Sequence, residues 1–129
     1  MIAWTKDELN KVGTAEELQL SSFRRDGTLR NPVIMWVVRL GDDLYVRSVN
    51  GRTSAWFRGV LTQHAGRIQA GGVEKEVTFV EEIDPAVIEQ VGEAYLVKCR
   101  RYPQFVAPLL TPTARAATIK LVPRQAEAF

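Results

Sequence analysis

Residues 23–57 read FRRDGTLRNPVIMWVVRLGDDLYVRSVNGRTSAWF, and this stretch decides the fold. Asn31 to Leu40 is rich in β-branched and aromatic residues, which fit a pleated, half-buried surface. Gly41-Asp42-Asp43 breaks that run before Leu44-Tyr45-Val46-Arg47-Ser48-Val49, and Asp26-Gly27 ends an earlier strand carrying Leu20, Ser22 and Arg24. Three antiparallel strands follow from the pattern. The loop Ser48-Val49-Asn50-Gly51-Arg52-Thr53-Ser54 then runs into a helix, capped by Thr53 or Ser54, with Trp56, Phe57, Val60 and Leu61 on one face.

Outward from that core, Thr5 and Glu8 have the capping-box spacing, which predicts a short N-terminal helix through about Val12. Thr14-Ala15-Glu16-Glu17-Leu18 carries a weaker helical signal. Gly71-Gly72 supplies the positive φ angles of a tight hairpin between residues 66–70 and 73–80. Asp84 at N-cap and Pro85 at N1 open the longest helix, predicted over about 84–101, with Val87, Ile88, Val91, Tyr95 and Cys99 at helical spacing. Thr118 to Val122 forms a last strand, and the polar residues after it are expected to fray. The apolar Val106-Ala107-Pro108-Leu109-Leu110 can cover either the sheet or a partner subunit. The element order suits an α+β domain, mainly β with flanking helices: an antiparallel barrel or curled sheet with helices at its rim.

Composition bounds the function. At 129 residues with 46% hydrophobic residues, one domain spanning 1–129 is expected. Seventeen basic against fifteen acidic residues leave a net charge of +2, too balanced to indicate nucleic acid. The run Lys98-Cys99-Arg100-Arg101-Tyr102 places cations where a helix C-terminus prefers them. A single cysteine excludes an internal disulfide and fits a reducing cytoplasm, and no metal-ligand spacing occurs. The charged N-terminus lacks the apolar core of a secretory signal, and no window approaches the ~18 apolar residues of a membrane span. A cytoplasmic protein is expected.

The candidate chemistry is phosphate recognition. Arginine presents a planar fork of donors to phosphate, and a helix N-terminus adds unpaired N–H groups. Gly51-Arg52-Thr53-Ser54 ahead of Trp56 offers both, or else is a solvated loop with a capped helix. Arg24, Arg25 and Arg30 are phosphate contacts or edge-strand charges that discourage aggregation. Trp36 is expected in the core. Tyr45 and Arg47 share a strand face, which suits a wet pocket or a dimer contact. His64, the sole histidine, complements the end of the short helix, and Cys99 is expected to be buried as a small hydrophobe. No nucleophile-base pair accompanies these groups.

Arg24 to Arg30, the strand with Trp36, Leu44-Tyr45-Val46 and the loop to Trp56-Phe57 resemble the core of the flavin-binding split-barrel superfamily, nearest its deazaflavin-dependent nitroreductase-like branch. The chain from Trp36 through Tyr45 to Ser48, Trp56 to Gly59, Arg67-Ile68, Gly71 to Lys75 and Tyr95 is similar to an uncharacterised bacterial family, domain of unknown function 2255. The resemblance implies a six-stranded antiparallel split β-barrel, a homodimer, and a cofactor held where the subunits meet. By that likeness Arg25 and Arg30 approach the cofactor's phosphate-bearing tail, Arg47, Ser48, Asn50, Gly51 and Arg52 occupy the phosphate segment, and Trp56 is the helix aromatic. The branch's loop lysine is Asn50 here, and its helix asparagine is Gly59. The implied cofactor is FMN or an 8-hydroxy-5-deazaflavin, and the implied activity a nitroreductase-like hydride transfer. The competing reading is a non-catalytic split-barrel dimer that binds a small anionic ligand or no cofactor.

Overall fold

The bend at Trp36 organises the molecule. In the computed structural model, which describes residues 3–124, strands β1 (Leu18–Ser22), β2 (Val33–Met35), β3 (Val37–Leu40), β4 (Asp43–Arg47), β5 (Ala65–Ala70), β6 (Val73–Glu81) and β7 (Thr118–Pro123) form one sheet. Its order is β2-β1-β5-β6-β7-β4-β3, and every pairing is antiparallel. The two end strands, β2 and β3, are separated in sequence by Trp36 alone. Met35 pairs with Leu18 and Val37 pairs with Val46, so the chain crosses from one end of the sheet to the other within three residues. The sheet therefore curls until its ends meet. The sequence reads 31–40 as one strand and six strands in all; the bend divides that run, giving seven among the described residues in the expected α+β barrel architecture.

Helix α1 (Lys6–Thr14) begins with the expected capping box. Glu8 N donates to Thr5 Oγ1 at 3.1 Å, and Thr5 N donates to Glu8 Oε1 at 2.9 Å. Its buried Leu9 and Val12 close one end of the barrel. The helical signal at 14–18 does not make a second helix, because Ala15 is already extended and β1 starts at Leu18. Gly71 and Gly72 turn β5 into β6 with φ of 58° and 84°, as their sequence requires.

Two apolar clusters flank the wall of the barrel. Inside lie Leu18, Leu20, Leu44, Val46, Phe57, Ile68, Phe79, Ile119 and Leu121, together with α1 and with α2 (Ala55–Gln63). Complete burial of a side chain such as Phe57 contributes roughly 2–3 kcal/mol. Outside, Val38 and Tyr45 on β3 and β4 meet Val91, Tyr95 and Cys99 on or just past α3 (Pro85–Lys98). Strand β4 is thus covered on both faces. Tyr45 is 3% exposed and its hydroxyl donates to Glu82 at 3.2 Å, so it lies beneath its own chain's helix and not in a wet pocket. Burial, with Glu82 and Asp43 nearby, raises the Tyr45 phenol well above its ordinary pKa.

Helix α3 starts where Asp84 accepts from Ala86 N at 2.9 Å, with Pro85 following. It ends at Lys98, three residues short of Arg101: Cys99 leaves the helical conformation with φ of −108° and ψ of 25°, and Tyr102, restricted by the proline that follows it, has φ of −128° and ψ of 57°. Three one-turn elements follow: α4 (Pro103–Val106), a 3-10 turn (Ala107–Leu110) and α5 (Pro112–Arg115). Val106 and Leu109 are buried against α3, so this segment covers its own barrel. The tail expected to fray falls partly on residues 125–129, outside the described residues.

Candidate functional site

Where β4 leaves the sheet, its last side chain becomes the floor of a cleft. Arg47 is only 2% exposed, and its Nε donates to Thr118 Oγ1 at 2.9 Å, Nη1 to the Leu109 carbonyl at 2.9 Å and Nη2 to the Ile88 carbonyl at 2.7 Å. No carboxylate pairs with it among the described residues. A guanidinium has five N–H groups, so these bonds occupy part of its capacity and leave its charge uncompensated. Burial lowers its pKa, opposed by Tyr95 and Glu89 and reinforced by Arg115; a guanidinium so placed keeps its proton.

The cleft measures about 450 Å³. Trp36, Trp56 and Phe105 supply aromatic walls, Val33 to Met35 and Leu109 supply apolar ones, and Arg47, Ser48, Asn50 and Ser54 converge as its polar groups. Mostly apolar walls with few convergent polar groups are the usual make-up of a small-molecule site. Ser54 stands at the N-cap of α2 but does not cap it. Its hydroxyl lies 2.9 Å from Ser48 Oγ and donates weakly to the Gly51 carbonyl at 3.4 Å. The first N–H groups of α2 are therefore left without a side-chain acceptor beside the cleft.

Of the residues singled out in the sequence, Arg47, Ser48, Asn50 and Trp56 come together here. Gly51 shapes the loop from behind. Its φ is 72°, its N–H donates to the Ser48 carbonyl at 3.0 Å, and a Cβ would lie 2.4 Å from the Thr113 methyl. Arg52 turns away from the cleft, pairing with Glu81, donating to the Ala116 carbonyl at 3.2 Å and lying 5.3 Å from the centre of the Phe57 ring. Arg30 lies over Gly59 of α2, which has no side chain to obstruct it. Arg25 lines a separate hollow with Arg24, Gln63 and Arg124.

His64 ends α2 in a left-handed conformation with φ of 54°, away from the cleft lining. Cys99 is buried, and burial pushes its thiol up, against the pull of Lys98. The sequence reading missed Phe105 and Leu109, whose one-turn elements are too short for a periodic signal; the prolines at 103, 108 and 112 were the available clue.

An anionic, ring-bearing cofactor fits these residues. Flat aromatic walls suit a ring, while an uncompensated guanidinium, two hydroxyls and uncapped N–H groups suit an anionic end.

Solved structures share the fold. The heme storage protein HutZ of Vibrio cholerae matches 94% of this chain and 91% of its own, with a TM-score of 0.67 at 13% identity. A structure described as a putative pyridoxamine 5'-phosphate oxidase of Listeria innocua matches 91% of this chain and 90% of its own, with a TM-score of 0.62 at 17% identity. An F420 reductase matches 96% of this chain and 97% of its own, with a TM-score of 0.55 at 20% identity. No curated protein matches the sequence. No described helix is long and apolar enough to cross a membrane. The fold is the split barrel expected from the residues around Trp36 and Trp56, and the family model "Uncharacterized protein conserved in bacteria (DUF2255)" matches residues 8–121: the chain belongs to that family.

Proposed function

We propose that the cleft holds a flavin-type cofactor, FMN or an 8-hydroxy-5-deazaflavin, in a cytoplasmic oxidoreductase. The observation that carries this reading is Arg47: a buried guanidinium without a carboxylate partner, forming the floor of an aromatic-walled cleft beside the uncapped start of α2. The ring would lie between Trp36 and Trp56, with the anionic end toward Ser48, Asn50, Ser54 and the α2 N–H groups. Arg47 would stabilise negative charge from beneath. Such a cofactor supplies hydride-transfer chemistry, and the protein supplies orientation and electrostatics. The F420 reductase and the oxidase of matching fold support that class of cofactor by analogy of fold.

A homodimer is part of the reading. Ile34, 60% exposed, and Val49, 48% exposed, form an apolar rim to the cleft that a second copy would cover. Arg25, Arg30, Gly51 and Arg52 lie outside the cleft wall in this reading: Gly51 shapes the loop, Arg30 beside Gly59 is the arginine left to meet a distal tail of the ligand, and Arg25 and Arg52, in a separate hollow and on Glu81, are structural.

A cofactor-free dimer is the second reading, favoured by the protein acceptors that already engage Arg47 and Arg52. An absorbance scan of freshly purified protein separates the two. A bound flavin or deazaflavin band, retained through gel filtration, is the expected result; a colourless protein that takes up neither cofactor on reconstitution contradicts it.

A further inference from the structure

Beyond the Trp36 bend, a second cavity of about 220 Å³ opens next to the first, sharing Trp36 and Phe105 as a common wall. Tyr102 completes an aromatic cluster there. The Trp36 and Tyr102 rings lie 5.9 Å apart at 47°, Trp36 and Phe105 6.2 Å apart at 81°, and Tyr102 and Phe105 6.4 Å apart at 51°. All three rings line the cavity and give it an aromatic wall. Tyr102 is 40% exposed and Phe105 57% exposed, whereas Val106 and Leu109 of the same segment are buried. The space equals about seven water volumes, enough for a small organic group and too little for a nucleotide.

The charge around this cavity is negative. Glu16 and Glu17 stand in its wall against one cation, Lys98, leaving one negative charge in excess. Neither glutamate has an ion-pair partner among the described residues. The Lys98 ammonium is committed to the Ala15 carbonyl, 2.6 Å away, and to the Val37 carbonyl. Arg100 and Arg101 are exposed and outside the wall. An anion entering here would meet two free carboxylates, and a neutral apolar group would leave them unused. A cation is the one class that can gain from both the aromatic wall and the carboxylates.

We propose that this second cavity binds a small organic cation of the alkylated-ammonium class, seated against Trp36, Tyr102 and Phe105 and countered by Glu16 and Glu17. The site does not depend on the cofactor reading of the neighbouring cleft, and its test is carried out without added cofactor.

The full chain is titrated with choline and with its neutral isostere 3,3-dimethylbutan-1-ol, following tryptophan fluorescence and heat of binding. Saturable binding of choline is expected, with the isostere weaker by about tenfold. Phe105→Ala, and separately the double variant Glu16→Gln with Glu17→Gln, should each weaken choline binding by about fivefold or more while the far-ultraviolet circular dichroism stays unchanged. All of the substituted side chains are exposed, so folding is not at stake. Lack of saturation by choline, equal binding of the isostere, or full affinity in both variants overturns the proposal.

Discussion

The Arg47 guanidinium donates to the Leu109 carbonyl at 2.9 Å, bridging sixty-two positions of sequence and joining the last residue of β4 to the turn that roofs the outer core. The same group holds α3 through Ile88 and β7 through Thr118. Arg47→Ala leaves these acceptors unmatched and a void beneath the cleft. A loss of about 3 kcal/mol is expected in urea unfolding. Arg47→Lys should recover only part of it, because an ammonium cannot reproduce the planar fork.

Glu8 gives the stability a defined acid limb. Burial raises its pKa, but the Thr5 N–H and hydroxyl and the Lys75 ammonium outweigh burial and hold it below the ordinary value of 4.5. A carboxyl whose folded pKa is depressed stabilises the fold above its unfolded pKa and loses that contribution as pH falls through the folded one. Glu8→Gln should therefore cost about 1 kcal/mol at neutral pH. The gap between variant and parent should narrow below pH 4.5 and close once the parent's Glu8 is protonated, as read by thermal unfolding across the acid range.

Gly66 is required for close approach. A Cβ there would lie 2.1 Å from the Ser21 carbonyl oxygen and 2.9 Å from the Phe79 ring, so Gly66→Ala must push β1 away from β5. The expected cost is about 3 kcal/mol. At Gly72, with φ of 84° and no neighbour within 4 Å, alanine strains only the backbone, and about 1 kcal/mol is expected. Melting temperatures of the two variants side by side test the ranking.

His64 occupies the left-handed C-cap of α2, a position glycine takes without strain. His64→Gly should raise stability by about 1 kcal/mol in denaturant unfolding. A loss of stability would mean that the imidazole makes a contact its exposed position does not suggest.

The local signals were legible where a few neighbouring residues decide the geometry. Thr5 with Glu8, Gly71 with Gly72, and Asp84 with Pro85 each specify a cap or turn from within their own segment, and each stands where the sequence put it. The closure of the barrel was not legible, since residues 31–40 read as one continuous strand and only long-range pairing reveals the bend at Trp36. The site divided the same way. Ser48, Asn50 and Trp56 are brought to the cleft by a local loop, whereas the burial of Arg47 depends on carbonyls from α3 and the 107–110 turn. Arg52 looked like a ligand group from its neighbours and is engaged by Glu81, a partner on another strand.

The central claim is that the Trp36–Trp56 cleft takes a flavin-type ring. Titration of the purified protein with FMN and with a deazaflavin, read by the cofactor's own fluorescence, tests it directly when repeated with Trp56→Leu. Saturable quenching by one cofactor, weakened about tenfold in the variant as expected for loss of an aromatic wall, is the predicted result. Absence of saturable binding by either cofactor, or binding indifferent to Trp56, would contradict it.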